Sequence, residues 1–150
     1  MGCYNDTVIV INTQTKQLED RVAKLVTIRG GKILLLREYG KDAYGLPGGR
    51  VEEHETVEAG LIREIREELT CAPINYRLFS EVSIPGWNQG EIYHFVYFVG
   101  ELEGEIKPNS EIESHAWVSK ADIINLAIKL HPHVVKTKIL EDLIAKGIIN

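Results

Sequence analysis

Only two cysteines occur in the 150 residues, Cys3 and Cys71, with no CxxC pair. Their scarcity excludes a disulfide-framed scaffold and a zinc-ribbon pattern, and a reducing compartment is the simpler expectation. Long apolar runs are missing too. The longest purely aliphatic stretches, Val8–Ile11 and Ile33–Leu36, fall far below the ~18 residues that a spanning helix requires. No basic residue precedes Lys16, so the charged start of a signal peptide is lacking, and the expected location is cytoplasmic. Internal repeats and linker-like tracts are absent, and there is no excess of positive charge. A formal charge of −5 disfavours a nucleic-acid polymer or a membrane as partner. A chain of this length buries roughly 68–70% of its unfolded surface. It needs no disulfide or structural metal to fold, and one domain over 1–150 is expected.

What is present is an unevenly placed acidity. Between Gly49 and Cys71 stand seven acids (Glu52, Glu53, Glu55, Glu58, Glu64, Glu67, Glu68) and three bases (Arg50, Arg63, Arg66), a balance of −4. The remaining residues hold 15 acids and 14 bases. The charge of the chain is the charge of one segment.

The hydrophobic pattern places that segment. Residues 7–12 are β-branched and read as a strand that adds a sheet edge or a homodimer contact. Arg21–Ile28 and Lys32–Glu38 flank Gly30-Gly31, a two-residue hairpin signal. Five Gly or Pro residues (Gly40, Gly45, Pro47, Gly48, Gly49) mark 39–55 as a loop. From Thr56 the period changes: Val57, Leu61, Ile65 and Leu69 recur every fourth residue, with Ile62 beside them, predicting an amphipathic helix to Leu69. Two long strands are expected at 74–84 and 91–100, around a loop carrying Trp87, and a shorter one at 112–118. Ser119 and Asp122 form a capping-box signal for a helix to about Leu130, and Pro132 and Gly147 bracket a last helix. This α+β order packs naturally as a mixed sheet between helices.

On a wheel of about 100° per residue with Glu64 at 0°, Glu67 falls near 300° and Glu68 near 40°, so the three carboxylates share an arc of about 100°. The apolar stripe spans about 20° to about 160°. The carboxylates therefore flank the buried edge, and Gly60, near 320° and one turn earlier, leaves room on their side. A solvated acidic face is the plain alternative. Against it, the i, i+4 pair Glu64/Glu68 costs roughly 0.2–0.5 kcal/mol, and desolvation beside the core adds to that unless a cation is bound. Hard oxygen donors in this arrangement suit Mg²⁺ or Mn²⁺. The five histidines (His54, His94, His115, His131, His133) show no metal-ligand spacing.

The pattern Gly49-x5-Glu55-x7-Arg63-Glu64-Ile65-x-Glu67-Glu68-x-Thr70-Cys71 resembles the Nudix box, Gly-x5-Glu-x7-Arg-Glu-U-x-Glu-Glu-x-Gly-U, with U aliphatic or otherwise apolar. Every fixed charged position matches. Thr70 stands where the family has Gly, at a helix C-terminal position where a less comfortable left-handed turn is the expected consequence. Leu46-Pro47-Gly48 before the box and Trp117-Val118 after it also look like the family, and the element order fits Nudix hydrolases along the chain.

The resemblance implies an α/β/α sandwich and hydrolysis of a nucleoside diphosphate linked to another group. It implies Glu64, Glu67, Glu68 and the Gly48 carbonyl as ligands of Mg²⁺ or Mn²⁺. An ion pair of Arg63 with Glu55 would orient Glu64 and anchor the loop to the helix. The general base is a box glutamate, Glu67 or Glu68, or a glutamate from the loop before the Trp117 strand, Glu111 or Glu113, of which the family's spacing of six residues before the tryptophan selects Glu111. The substrate is a small-molecule nucleotide, with a nucleoside triphosphate cleaved to monophosphate and pyrophosphate as the leading expectation. ADP-ribose, a nucleotide sugar, a dinucleoside polyphosphate, or a binding module without catalysis are the alternatives. From the residues themselves, Trp87 and Tyr44 are candidates to stack on a base, with packing within their own loops as the alternative. Arg21, Lys24 and Arg37 are candidate phosphate contacts. Tyr93, Phe95 and Tyr97 share one face of their strand and are expected in the core.

Overall fold

A computed structural model describes residues 18–150; the strand expected at 7–12, with its dimer contact, lies outside them. The elements in order are β1 (Leu18–Val26), β2 (Ile28–Arg29), β3 (Lys32–Glu38), β4 (Gly48–Arg50), α1 (Val57–Leu69), β5 (Ala72–Pro85), β6 (Glu91–Glu103), β7 (Ile112–Val118), α2 (Lys120–Ile124), α3 (Pro132–Thr137) and α4 (Ile139–Ala145).

Two sheets form instead of one. The larger has the order β4-β1-β6-β5 and the smaller β2-β3-β7. β1 runs parallel to β6, from Leu18 opposite Glu91 to Val26 opposite Val99, and the other pairings are antiparallel. The expected strand 21–28 is interrupted at Thr27, whose hydroxyl donates to the Gly100 carbonyl at 2.7 Å. The Gly30-Gly31 hairpin forms as expected, with both residues at positive φ and Arg29 opposite Lys32.

Strand alternation builds two cores. Val22 and Val26 of β1, Ile33 and Leu35 of β3 and Tyr93, Phe95 and Tyr97 of β6 pack with Val134, Leu140 and Leu143 from α3 and α4. Ala23, Leu25, Leu34, Leu36, Val96 and Phe98, on the opposite faces, pack with Leu61, Ile65 and Leu69 of α1. The sheets thus lie between α1 and the C-terminal helices, as the pattern predicts.

Both C-terminal helices are shorter than expected. α2 stops at Ile124, and Leu126 takes a positive φ of 54°. The chain then extends to pair with the loop after β3: the Tyr44 N–H donates to the Lys129 carbonyl and the His131 N–H to the Tyr44 carbonyl, both at 2.8 Å. That pairing takes the backbone groups a continued helix would need. The last helix is divided at Lys138, which is left-handed at φ 57°.

Candidate functional site

Helix α1 presents the acids because both its ends are fixed. The Thr56 side chain accepts the Ala59 N–H at the N-terminus, and Thr70 closes the C-terminus at φ 61°. The threonine does take the left-handed conformation that the family's glycine would adopt at less cost. Its hydroxyl donates to the Lys107 carbonyl at 3.0 Å.

Along the helix edge, Arg63 is the hub. Its guanidinium forms a fork on Glu55, with Nη2 to Oε1 at 2.6 Å and Nε to Oε2 at 3.2 Å. It also reaches Glu64 at 3.0 Å, Glu67 at 3.3 Å and the Arg50 carbonyl at 2.9 Å. The pairing holds the Glu55 carboxyl down at about 2, chiefly through the hydrogen bonds from Arg63. The expected ion pair of Arg63 and Glu55 forms, and it links the loop to α1. The space beside Gly60 is filled from within: a Cβ there would meet Glu55 Oε1 and a Val51 methyl, each at 3.0 Å.

Glu64, Glu67 and Glu68 all line one cleft of about 800 Å³, together with Lys24, Glu38, Gly48, Asn109, Glu111, Trp87 and the aromatic residues of β6. Glu67 is exposed, whereas Glu64 and Glu68 are half-buried. Glu68 accepts the Gly48 N–H at 2.7 Å. Burial pushes its carboxyl up to about 7, opposed by the positive charge of Lys24 and the Gly48 hydrogen bond. Gly48 and Gly49 are glycines for want of space: a Cβ on Gly48 would lie 2.1 Å from the Ala23 carbonyl oxygen, and one on Gly49 2.6 Å from the Glu64 carboxylate.

Several expected positions are placed elsewhere. The Gly48 carbonyl, expected as a free metal ligand, accepts the Lys24 ammonium at 2.9 Å. Arg21 does not reach the cleft; its guanidinium donates to the Glu52 and Glu55 carbonyls and braces the loop before α1. Tyr44 is turned away, with its hydroxyl 3.1 Å from Ser114 Oγ and its ring beneath the Arg37 guanidinium. Arg37 in turn pairs with Glu113, which leaves Glu111 as the acid of that loop facing the cleft. Trp87 does line the cleft; it is 60% exposed, with Lys136 Nζ 4.8 Å above its ring.

Three participants carry no local sequence signature of a site. The Asn109 side chain donates to the Glu67 carbonyl, and its backbone N–H donates to that of Glu68 at 2.9 Å. Its Oδ1 accepts the Glu111 N–H at 2.8 Å, so one residue ties the end of α1 to the Glu111 loop. His131 and His133 also line the cleft. His131 Nδ1 accepts the His133 N–H at 3.2 Å, which leaves Nε2 to carry the proton of the neutral ring. His133 packs against Phe95, Tyr93 and Trp87. Burial, with the charges of His131, Lys24 and Lys136, lowers it to about 4.

Among the described residues, no three His, Cys, Asp or Glu side chains converge closely enough to hold an ion. Existing partners account for this: Glu64 is drawn to Arg63 and Glu68 to the Gly48 N–H. The donor chemistry nevertheless fits a hard divalent cation, since three carboxylates share a helix edge on a cleft and one of them is desolvated without an ionic partner at contact distance.

The NUDIX domain family matches residues 18–140. The chain belongs to the NUDIX family. It is 30% identical over 112 residues to an ADP-ribose pyrophosphatase of Methanocaldococcus jannaschii, covering 72% of this chain and 66% of that protein. It is 31% identical over 102 residues to an 8-oxo-dGDP phosphatase of Danio rerio, covering 61% of this chain and 30% of the other. A nucleoside triphosphatase, NudI, of Klebsiella pneumoniae is 33% identical over 92 residues, 55% of this chain and 65% of that one. The chain thus spans less than two thirds of the length of these relatives. Among solved structures, the E. coli ORF135 protein superposes with a TM-score of 0.67 at 25% identity, covering 87% of this chain and 94% of its own. A NUDIX hydrolase from Nitrosomonas europaea superposes at 0.70 and 22%, covering 86% and 90%, and supports the fold.

Proposed function

We propose that this NUDIX protein is a divalent-cation-dependent pyrophosphohydrolase that attacks, with water, a diphosphate bond of a nucleoside diphosphate linked to another group. A nucleoside triphosphate giving monophosphate and pyrophosphate is the first substrate class. The observation that carries the reading is the edge of α1, where Glu64, Glu67 and Glu68 face one cleft that Trp87 also lines. Glu64, Glu67 and Glu68 would hold Mg²⁺ or Mn²⁺, with the Gly48 carbonyl as a backbone ligand once Lys24 gives it up. Such an ion supplies charge neutralisation on the phosphates and a lowered pKa for water.

The chain's own residues do the rest. Arg63, braced by Glu55, fixes the direction of Glu64. Asn109 holds the Glu111 loop against the end of α1, and Glu111, which lines the cleft, would be one candidate to take a proton from the attacking water. Glu67 and Glu68 are the other candidates for that role. Trp87 offers an exposed ring for a base, a contact worth ~1–3 kcal/mol.

ADP-ribose is the second reading. It is favoured by the archaeal relative, named an ADP-ribose pyrophosphatase, whose match covers 72% of this chain. The name of the zebrafish relative adds an oxidised nucleoside diphosphate to the panel. We place the protein in the cytoplasm, on its cysteine usage; among the described residues no helix is long and apolar enough to cross a membrane.

The test is hydrolysis of a nucleotide panel with Mg²⁺, repeated with a chelator and with Glu68→Gln. Activity is expected on one class of substrate, abolished by the chelator and lowered at least ~100-fold by the substitution. Activity that survives both removes the metal assignment. Nucleotide binding with no phosphate release on any substrate makes the protein a binding module. Undiminished turnover in Glu111→Gln returns the base to α1.

A further inference from the structure

β1 carries a contradiction. Val22, Lys24 and Val26 alternate onto one face of the strand; the two valines are buried at 7% and 0% exposure, and a lysine lies between them. Lys24 is half-buried, and its ammonium has a socket. Nζ donates to the Leu46 carbonyl at 3.1 Å and to the Gly48 carbonyl at 2.9 Å. Strand pairing sets this arrangement, because Lys24 stands directly opposite Gly48 in the β1–β4 register.

Gly48 is therefore held on both sides. Its N–H goes to the Glu68 carboxyl and its carbonyl to the lysine, so one residue stands between an acid and an ammonium. The backbone has little freedom to change this, since φ of Gly48 is +120° and the residue lies against Ala23 and Lys24. Any charge arriving at that carbonyl must contend with the one already there.

We propose that Lys24 is the resident counter-cation of the acidic site, holding the Gly48 carbonyl until a divalent cation displaces it. The inference rests on the proposed reading of Glu64, Glu67 and Glu68 as metal ligands. A hard divalent cation sits ~2.1 Å from its oxygen ligands, and the ammonium lies 2.9 Å from the same oxygen. Three positive charges on the carbonyl of a buried residue repel strongly, so the two occupants exclude each other. The ammonium already meets part of the electrostatic need of the acids, and the free protein binds a divalent cation only against that competition. Removing the lysine charge therefore tightens cation binding, whereas removing a charge that served only as packing would leave it unchanged.

The test is titration of the nucleotide-free protein with Mn²⁺ under mildly alkaline conditions, following the paramagnetic resonance signal of free Mn²⁺. Wild type, Lys24→Met, Lys24→Gln and Glu68→Gln are compared. Lys24→Met keeps the length of the side chain without its charge. Lys24→Gln keeps a donor for one carbonyl and serves if the methionine variant does not fold. Both lysine variants are expected to bind Mn²⁺ at least tenfold more tightly than wild type. Unchanged or weaker binding in a folded lysine variant, with wild-type binding that Glu68→Gln abolishes, overturns the lysine inference and leaves the metal site standing. No saturable binding in any of the four proteins overturns both.

Discussion

A Cβ on Gly49 would lie 2.6 Å from the carboxylate of Glu64, and the atoms in the way belong to the far end of a side chain that can move. Gly49→Ala is thus expected to leave the fold intact and turn Glu64 out of position. Turnover should fall at least ~10-fold, the size expected when a ligand loses its orientation, with an unchanged circular dichroism spectrum; unaltered kinetics would mean that Glu64 is not needed in its present place. Glu68 makes a different prediction. Its carboxyl is raised from 4.5 to about 7, so between those values the folded protein keeps a proton that the unfolded chain has released. The associated stability is present in full below pH 4.5 and is lost as the pH rises through 7. In chelator, the unfolding free energy from urea titrations should drop across that interval by about 3 kcal/mol, and Glu68→Gln should flatten the slope.

At the scale of elements, α1 works as a site because of its attachments. The fork of Arg63 on Glu55 joins its middle to the loop, and Asn109 joins its end to the loop carrying Glu111. Arg63→Gln should lower turnover by roughly 10–100-fold through disordered carboxylates, read as a fall in kcat with KM little changed. Asn109→Ala removes one side chain bonding in two directions, and should cost about 1 kcal/mol of stability together with activity, measured by denaturation and kinetics on the same sample. The helix itself was legible in the sequence, since Val57, Leu61, Ile65 and Leu69 fix its buried face and thereby the position of the acids. Asn109 was not, because its bonds depend on where a distant loop packs, and no local period encodes that. Lys24 had a signal that was easy to pass over, a charge on the buried face of a strand. Arg21 and Tyr44 were misread for the converse reason: residue type suggests a phosphate or a base, but neighbouring carbonyls and Ser114 satisfy them first. The short α2 likewise reflects a competing partner, the Tyr44 loop, that a capping signal cannot reveal.

For the whole molecule, the sandwich brings the acidic edge of α1 on one face to a cleft that aromatic residues from β6 and the β5–β6 loop also line. If Trp87 receives the base, Trp87→Ala should raise KM about tenfold, near the lower end of the value of one stacking contact, with kcat preserved. A change confined to kcat would detach Trp87 from binding. The parallel alignment of β1 with β6 has a further consequence, in time and not in space. Leu18 is opposite Glu91 and Val26 opposite Val99, so the central strand of the larger sheet finds its neighbour only after some seventy intervening residues have been brought round. Closure of so long a loop precedes any reward from the contacts it permits. Folding is therefore expected on a scale of milliseconds to seconds, and until β6 docks, Val22, Ala23, Leu25 and Val26 present an unpaired apolar edge that is open to aggregation.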